Sequence, residues 1–462
     1  METEGKKRII VALDVDSVDK AIVLVDQLTP HVGYFKIGLE LIYSILASLL
    51  RVEADGEPNL FRVRELFNRI RDQTFLDTKL DDIPNTVAGA TKAIAKIETK
   101  IFNVHASAGK EAVKQAVANR GDSIVLGVTV LTSIGEEECV SIFGDKPGPK
   151  VVQFAKMLAE VGANGIVCSP QELKLLAQYP ELAKLKKVVP GVRPEWAAVG
   201  DQKRVMTPGE AIKAGADFVV IGRPITQPPK EIGGPAEAAQ KIAEEIDKAL
   251  LEKPLIEHNA IWTFKGSEGE PHAFLASGKH SDGYINLNTV LQSPQLCETL
   301  AEQLVHKLGA QGITKETVDV VVSSSYAAIV FGYAVARQLG VDFIFTEKLE
   351  NQQIFGERFV LAPGARILQV EELITTLKTA KGVKDAVLNN NPEAEFIQVD
   401  GKTIVATVIH RPDKLPITYE DYTVIALIEK EIHAWDPSEC PLCKKGSEAL
   451  HPKQNWQRFL QR

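Results

Sequence analysis

Residues 75–86 read Phe-Leu-Asp-Thr-Lys-Leu-Asp-Asp-Ile-Pro-Asn-Thr, an apolar start followed by closely spaced charges. Asp77 and Lys79 are two residues apart, so on a β-strand they lie on the same face. Asp82 follows just beyond the predicted strand end. An ammonium and a carboxylate held at a strand end suit proton delivery to a developing carbanion. A solvated strand edge with a surface ion pair is the alternative for a lone Asp-x-Lys-x-x-Asp pattern.

Outward from this stretch, β-rich runs alternate with amphipathic stretches through the first half of the chain. The runs are Arg8–Asp14, Tyr34–Gly38, Thr74–Leu80, Ile101–Ser107, Ser123–Leu131, Gly165–Pro170, Lys187–Arg193 and Ala216–Ile225. Helical stretches between them include Lys110–Asn119, Val152–Val161 and Glu210–Ala214. This alternation predicts an α/β protein with an N-terminal (β/α)8 TIM barrel. A doubly wound open sheet is the alternative, although it usually has fewer strands.

Active sites of such barrels lie at the C-terminal ends of the strands, and polar residues stand there in this chain. They are Asp14, Lys36, Asp77, Lys79, His105, Thr132, Arg193 and Arg223. Gly222 and Arg223 end the eighth strand, where barrels often bind phosphate, because glycine allows close backbone approach and arginine donates bidentately. Gly200-Asp201-Gln202 could close over a ligand. Val52–Asn59 is interpreted as an inserted loop.

Bulk composition is that of an ordinary globular protein. The chain has 462 residues, 45% apolar and 25% charged, with a net charge of −8 that predicts no general affinity for nucleic acid. The start, Met-Glu-Thr-Glu-Gly-Lys-Lys-Arg, has no apolar run typical of a signal peptide, and no stretch is typical of a membrane span. Five cysteines, an odd and sparse set, fit a reducing compartment, so a cytoplasmic location is expected.

Several ordered motifs resemble those of orotidine 5′-monophosphate decarboxylases across roughly residues 7–250. The matching pieces are Ala12-Leu13-Asp14, Phe35-Lys36-Ile37-Gly38, residues 77–86, Asn103-Val104-His105-Ala106, Val128–Ser133, Pro190-Gly191-Val192-Arg193, Asp201-Gln202 and Ile221-Gly222-Arg223. The resemblance implies cofactor-free decarboxylation to UMP in pyrimidine synthesis. No metal is expected in the barrel, where no zinc-type Cys/His spacing is present.

The resemblance also implies roles for individual residues. Lys79 is the expected proton donor, and Lys36, Asp77 and Asp82 complete an alternating charged array, with Asp82 supplied by the partner subunit of a homodimer. The expected substrate-binding residues are Asp14, Lys36, Ile83, Thr86, Thr132, Arg193, Gln202, Gly222 and Arg223. Arg193, Gln202, Gly222 and Arg223 would hold the phosphate end.

The second half of the chain is predicted to be a separate open α/β domain, with a mostly parallel sheet that includes strands Asp319–Val322 and Arg366–Val370. The boundary is placed near Lys253-Pro254, which gives domains 1–253 and 254–462. Residues from about 255 to 450 resemble orotate phosphoribosyltransferases, on Ser277-Gly278-Lys279-His280-Ser281-Asp282, Tyr284-Ile285-Asn286, Phe331–Gly340, Phe345-Thr346-Glu347-Lys348 and the tail Cys440-Pro441-Leu442-Cys443. Because a single Cys-x-x-Cys lacks partners, no metal site is predicted there.

The transferase motifs depart from the family pattern. Candidate residues for binding phosphoribosyl pyrophosphate are Lys348, Glu371, Glu372, Thr375 and Thr376. However, Leu377 and Lys378 stand where glycines are expected, and side chains there are predicted to crowd a phosphate held by backbone amides and to penalise a positive φ. Ser323-Ser324-Ser325 replaces the usual loop on the pyrophosphate side. Binding is therefore predicted to be weak or lost, with Mg²⁺ needed only if this half is active.

Three alternatives remain open at this stage. The chain could be a bifunctional UMP synthase in which both halves work. The barrel could be a Mg²⁺-dependent hexulose-phosphate synthase or keto-gulonate-phosphate decarboxylase, which share the Asp-x-Lys-x-x-Asp motif. The C-terminal half could be a nucleotide-sensing module that binds without turnover.

Overall fold

Parallel pairing closes eight short strands of the first half into a barrel, in the order β1 to β8, with β8 paired to β1. The computed structural model describes residues 4–50, 60–197, 206–267, 269–350, 352–356 and 359–460. The barrel strands are β1 (Ile9–Ala12), β2 (Tyr34–Ile37), β3 (Thr74–Leu80), β4 (Ile101–His105), β5 (Ile124–Val128), β6 (Gly165–Val167), β7 (Lys186–Pro190) and β8 (Phe218–Ile221). The TIM-barrel prediction is confirmed.

Helices precede β1 and connect or follow the barrel strands. They are α1 (Glu4–Lys7), α2 (Val18–Leu28), α3 (Leu39–Leu50), α4 (Leu60–Ile70), α5 (Pro84–Ile97), α6 (Lys110–Ala118), α7 (Glu136–Phe143), α8 (Pro147–Glu160), α9 (Leu173–Leu176), α10 (Pro208–Ala214), α11 (Arg223–Thr226) and α12 (Pro235–Glu257). Short 3-10 turns lie at Arg71–Gln73, Ala106–Ala108, Pro170–Glu172 and Pro180–Leu182. The predicted insertion Val52–Asn59 lies outside the described residues.

The barrel interior is a packed apolar layer rather than a channel. Ile10, Phe75, Ile101, Leu126 and Val188, from β1, β3, β4, β5 and β7, are all buried and in mutual contact. Alternate residues of the same strands face outward and pack against the helices, as the period of two in a β-strand requires. Space for a ligand in this barrel therefore lies at its mouth, above this layer.

The chain divides into two units, Met1–Leu250 and Leu251–Arg462. Helix α12 continues through Pro254, the predicted domain boundary. Proline removes one hydrogen bond from a helix interior, but Leu255, the next residue, is fully buried, and its burial helps to offset that cost.

No helix in the described part of the chain combines the length and apolar character needed to cross a membrane.

The second unit contains an open sheet with the order β14-β13-β17-β20-β19, in which β18 also pairs with β17 and β21 with β20. These pairs are parallel except for β19 with β20, as an open α/β domain requires. A separate small sheet has the order β22-β11-β10-β23. The predicted strands Asp319–Val322 and Arg366–Val370 correspond to β13 and to the first part of β17.

The strands of this unit are β9 (Ile261–Thr263), β10 (His272–Phe274), β11 (His280–Ser281), β12 (Gly283–Ile285), β13 (Val320–Ser323), β14 (Asp342–Phe345), β15 (Glu347–Leu349), β16 (Gln352–Ile354), β17 (Arg366–Ile374), β18 (Glu395–Phe396), β19 (Gln398–Val399), β20 (Lys402–His410), β21 (Tyr422–Glu429), β22 (Ala434–Trp435) and β23 (Ala449–Leu450). The helices are α13 (Asn288–Leu291), α14 (Pro294–Gly309), α15 (Ala327–Leu339), α16 (Lys378–Asn390), α17 (Pro441–Lys444) and α18 (Pro452–Leu460).

Candidate active site at the barrel mouth

A buried carboxylate, Asp77, stands at the centre of the charged residues that end β1, β2 and β3. Its Oδ2 accepts from Lys79 Nζ at 2.7 Å and lies 3.1 Å from Lys36 Nζ. Lys36 Nζ also donates to Asp14 Oδ1 at 3.2 Å. The side chain of Asp77 is 8% exposed, whereas that of Lys79 is 32% exposed. The ammonium of Lys79 is therefore accessible at the mouth of the barrel, and the charges of Asp77 and Lys36 lie beneath it.

The neighbouring ammonium groups keep Asp77 ionised despite its burial. Burial alone would raise the pKa of the Asp77 carboxyl. The charge of Lys36, then that of Lys79, and hydrogen bonds from Lys79 and Asn103 outweigh burial, so the pKa lies below its ordinary value. A permanent negative charge is thus held next to two cations inside the barrel.

The backbone of β3 departs from regular geometry where it carries Lys79. The pairing with β4 shifts register between Leu76 and Leu80, and Lys79 has a left-handed φ of 48°. Such a conformation is unfavourable for a lysine unless its surroundings hold it. The Lys79 backbone N–H donates to Asn103 Oδ1 at 2.7 Å, and this bond stabilises the irregular turn.

Asn103 is a site residue whose role the sequence argument missed. It is buried in β4, and its Nδ2 donates to Asp77 Oδ1 at 2.6 Å. One amide therefore fixes both the carboxylate of Asp77 and the backbone of Lys79. A signal was present, since an asparagine interrupts the apolar run Ile-Phe-Asn-Val of a predicted buried strand, and buried polar groups need partners.

A cavity of about 210 Å³ opens above these groups. Its lining combines the charged array with apolar side chains from β3, β5, β6, β7 and β8 and the segment after β5; it is formed by Lys36, Phe75, Asp77, Lys79, Asn103, Val128, Val130, Leu131, Thr132, Val167, Cys168, Pro190 and Val220. The structure thus brings Thr132 to the cavity that holds Lys79. Apolar walls with a few convergent polar groups are typical of a pocket for a small molecule.

The ends of β7 and β8 carry the residues predicted for the phosphate. Gly222 precedes α11, and a Cβ placed on it would lie 3.8 Å from Asp14 Oδ2, so this turn adjoins the charged array. Arg223 is exposed at the start of α11. Among the described residues, the buried Nε of Arg193 has no hydrogen-bond partner. Gln202 and the rest of the predicted lid, 200–202, lie outside the described residues.

The residues after β3 are not brought into the array within one chain. Asp82 is exposed, and its carboxylate accepts from the backbone N–H of Ile83 at 2.7 Å. Ile83 is 66% exposed, and Thr86 is also exposed. These three predicted residues therefore form an open surface at the start of α5.

The amino-acid sequence is similar to that of a known enzyme family. A model described as the orotidine 5′-phosphate decarboxylase / HUMPS family matches residues 7–242, half of the chain. The chain belongs to this family. Similar curated proteins are the orotidine 5′-phosphate decarboxylases of Syntrophomonas wolfei, 41% identical over 259 residues (53% of this chain, 100% of the relative), and of Pseudoalteromonas translucida, 43% identical over 234 residues (49% and 93%).

Two solved structures are also similar. The orotidine 5′-phosphate decarboxylase of Lactobacillus acidophilus has a TM-score of 0.41 at 30% identity, covering 52% of this chain and 98% of that one. The UMP synthase of Leishmania donovani has a TM-score of 0.41 at 19% identity and covers 92% of each chain. The decarboxylase family match ends at residue 242 and does not cover the second unit.

Beyond the decarboxylase family match, two predicted motifs of the second unit meet because β13 pairs with β17. Ser324 Oγ donates to Glu371 Oε2 at 2.5 Å, and Gln369 Nε2 donates to Glu371 Oε1 at 3.1 Å. Burial raises the pKa of Glu371 to about 7 and also raises the pKa of the partly accessible Glu372. Glu371 is therefore engaged inside the protein rather than presented to a ribose. Lys348, Thr375 and Thr376 are exposed.

The predicted crowding by Leu377 is wrong. Its side chain is buried and packs with Ile374, Ala380, Val405 and Tyr422. Its φ is −79°, so no left-handed conformation is required at this position. The leucine therefore serves the core between β17 and α16, whereas Lys378 is exposed at the start of α16.

The prediction that Cys440 and Cys443 lack partners is also wrong. Both sulfurs lie beside the rings of His272 and His280, with the four ligand atoms within 4.8 Å of one another. More than 150 residues separate the histidines from the cysteines along the chain, so only the tertiary fold brings them together.

Proposed function

We propose that the N-terminal barrel decarboxylates orotidine 5′-monophosphate to UMP in pyrimidine synthesis, without a cofactor. One observation carries the proposal: Lys79, held by Asp77 and Asn103, faces an apolar cavity at the mouth of the barrel. Loss of CO₂ from C6 of the pyrimidine leaves a carbanion with little delocalisation. A fixed ammonium stabilises that charge as it forms and then protonates it.

The remaining groups divide between binding and orientation. Asp14, Lys36 and Thr86 would contact the ribose, and Thr132 would contact the substrate from the segment after β5. Arg193, Gly222 and Arg223, with Gln202, would hold the phosphate, whose remote binding energy orients the ring over Lys79. Asp77, buried and ionised, would lie near the departing carboxylate and disfavour the ground state.

The proposed active unit is a homodimer with shared sites. Within one chain Asp82 lies outside the array, on an exposed surface that includes the apolar side chain of Ile83. Asp82 and Ile83 are therefore accessible to a second subunit, which is where the resemblance to the decarboxylases puts this aspartate. Asp82 of one subunit would then complete the charged array of the other.

A Mg²⁺-dependent reaction is the competing candidate, because the family also includes HUMPS proteins. The carboxylates that could hold the ion here, Asp14 and Asp77, are both paired with Lys36. An ion would have to displace that ammonium, which disfavours metal binding at the array.

The test is a decarboxylation assay on the full chain without added metal, repeated in EDTA, with Lys79→Ala as the matched variant. We expect turnover that EDTA leaves unchanged, and no turnover by Lys79→Ala although it still binds UMP. Loss of activity in EDTA would favour the Mg²⁺-dependent alternative. Near-normal turnover by Lys79→Ala would exclude this lysine as proton donor.

For the second unit we propose an orotate phosphoribosyltransferase-like fold in which binding of phosphoribosyl pyrophosphate is weak. Support comes from Glu371, which is buried and bonded to Ser324 and Gln369. The position of Leu377, buried away in the core, favours the alternative of a bifunctional UMP synthase. Incubation of the full chain with orotate, phosphoribosyl pyrophosphate and Mg²⁺ separates these possibilities by the consumption of orotate. Rapid consumption supports the bifunctional enzyme, slow consumption supports weak binding, and binding without turnover supports a sensing module.

A further inference from the structure

The small sheet of the second unit carries a cluster of four potential metal ligands. His272 and His280 lie on the adjacent antiparallel strands β10 and β11. Cys440 immediately precedes α17, and Cys443 lies within it, in the segment between β22 and β23. His272, His280 and Cys440 are buried, and Cys443 is the most accessible of the four. We propose that His272, His280, Cys440 and Cys443 together bind one Zn²⁺ ion as a structural site.

The spacing of the ligand atoms fits tetrahedral coordination. His272 Nε2 lies 3.0 Å from His280 Nδ1 and 3.6 Å from Cys440 Sγ. Cys443 Sγ lies 3.4 Å from His272 Nε2 and 3.2 Å from His280 Nδ1. Zinc bonds of about 2.0 Å to nitrogen and 2.3 Å to sulfur place the ligand atoms of a tetrahedron roughly 3.3–3.8 Å apart. Small adjustments of these side chains therefore suffice to enclose the ion.

A hydrogen-bond relay orients His272 for metal binding. Ser447 Oγ donates to the carbonyl oxygen of Glu270 at 2.7 Å, so its hydroxyl hydrogen is already used. The contact of 3.0 Å between His272 Nδ1 and Ser447 Oγ therefore requires Nδ1–H to donate. This leaves Nε2 unprotonated and turned toward His280 and the two sulfurs. Metal-binding histidines are commonly fixed in this way by a partner on the other ring nitrogen.

The backbone after the cysteines is shaped to bring Ser447 back to the histidine. Gly446 has a φ of 82°, and its N–H donates to the Cys443 carbonyl at 2.9 Å. The Ser447 N–H donates to the Leu442 carbonyl at 3.1 Å. The His272 N–H then donates to the Glu448 carbonyl at 2.9 Å as β23 pairs with β10. The short segment from Cys440 to Ser447 thus supplies two ligands and the residue that orients a third.

The chemistry and the setting both favour a structural zinc ion. Two thiolates and two imidazoles satisfy tetrahedral Zn²⁺ and leave no position for a substrate. The strands of the small sheet have only two or three residues each, which is too little pairing to hold the sheet without other support. Binding releases the thiol protons, and the ion ties the hairpin β10–β11 to the segment between β22 and β23.

The test is the metal content of the full chain, purified with a thiol reductant and without chelator. We expect about one zinc ion per chain in the wild type and in Cys297→Ala, a buried thiol outside the cluster. Cys443→Ser should lose most of the zinc, and His280→Cys, which retains four ligands, should keep it.

Cobalt substitution gives a second measurement that needs no variant. After zinc is exchanged for Co²⁺, the wild type should show the thiolate-to-cobalt charge-transfer band and the intense d–d bands of a tetrahedral site. Wild-type protein without bound zinc and without these bands would overturn the proposal. Zinc retained in full by Cys443→Ser would overturn the assignment of the ligands.

Discussion

At the scale of single residues, Asp77 shows how a buried charge is made tolerable. It accepts from Lys79 and Asn103 and lies beside Lys36, so each of its oxygens has a partner. An isolated buried carboxylate would take up a proton instead. The bonds that Asp77 and Asn103 make also fix the position of Lys79. The same contacts therefore keep Asp77 charged and hold the Lys79 ammonium in place.

Replacement of Asn103 by alanine should lower kcat with little change in KM. Asn103 touches Asp77 and the Lys79 backbone rather than the cavity alone, so it acts as a positioning residue. Loss of its two bonds costs about 1–3 kcal/mol, or roughly 5–150-fold in kcat. Steady-state decarboxylation kinetics measure the effect. Asn103→Asp should be more damaging, because it sets a second carboxylate against Asp77.

Asn119→Ala is the matched control, since the Asn119 amide bonds only within the end of α6. It should leave kcat unchanged. A kcat for Asn103→Ala within twofold of the wild type would contradict the positioning role.

At the scale of elements, the turn after β2 is shaped around the ammonium of Lys36. A Cβ on Gly38 would lie 2.7 Å from Lys36 Nζ, 3.4 Å from Asp14 Oδ1 and 3.9 Å from Asp77 Oδ2. The ammonium of Lys36 can therefore hold this position beside Asp14 and Asp77 because Gly38 has no side chain.

Gly38→Ala should reduce kcat by about tenfold or more while the protein remains folded, because the flexible lysine side chain can move aside but then leaves Asp77. Kinetics and thermal unfolding, measured together, separate the two effects. Gly135→Ala is the control: its added Cβ meets nothing within 4 Å, and its φ of −76° suits alanine. Equal activity of the two variants would refute this explanation.

Strand β17 carries a carboxyl whose burial makes stability depend on pH. The pKa of Glu371 is about 7 in the folded state, above its unfolded value of 4.5. Below pH 4.5 the group is neutral in both states and burial costs nothing. As pH rises from 4.5 to 7 the unfolded chain ionises first, so stability falls by about 3 kcal/mol at most and then levels off.

Glu371→Gln should therefore flatten this dependence. Thermal unfolding at pH 5 and pH 8 should show a smaller loss of midpoint in the variant than in the wild type. Glu372, whose pKa is also raised by burial, contributes in the same direction to both proteins. An identical pH dependence in the two proteins would show that the pKa of Glu371 is the same in the folded and unfolded states.

At the scale of the whole molecule, catalysis by this chain is proposed to need two copies. Lys79→Ala removes the proton donor of its own site, and Asp82→Ala removes a charge from the partner's site. Each variant alone should be inactive or nearly so. In a mixed dimer one site lacks both residues and the other lacks neither, so activity should return to about a quarter of the wild-type level when subunits exchange at random.

Activity of the mixture, measured after subunit exchange and after confirmation of mixed dimers by mass spectrometry, decides the question. Wild-type protein diluted with Lys79→Ala is the control. Each wild-type Lys79 still meets an intact Asp82 in a mixed dimer, so the activity per wild-type chain should stay constant. A confirmed mixed dimer without activity would argue against shared sites.

The sequence alone determined the fold class and most of the charged array. Strand and helix periodicities are local, and eight alternating units have few ways to bury their apolar faces, so the barrel follows from the pattern. Asp14, Lys36, Asp77 and Lys79 could be found because parallel strands of a barrel end at the same face. Identification of Gly222 and Arg223 as phosphate-site candidates rests on the same rule.

Only the tertiary structure decided the contacts between residues distant in the chain. Asn103 contacts Asp77 because β3 and β4 pair with a shift of register. Leu377 is buried in the core between β17 and α16. The cysteines met the histidines across the small sheet. The physical reason is the same in each case: side-chain partners are chosen by packing between elements, and no local pattern records which elements will be neighbours.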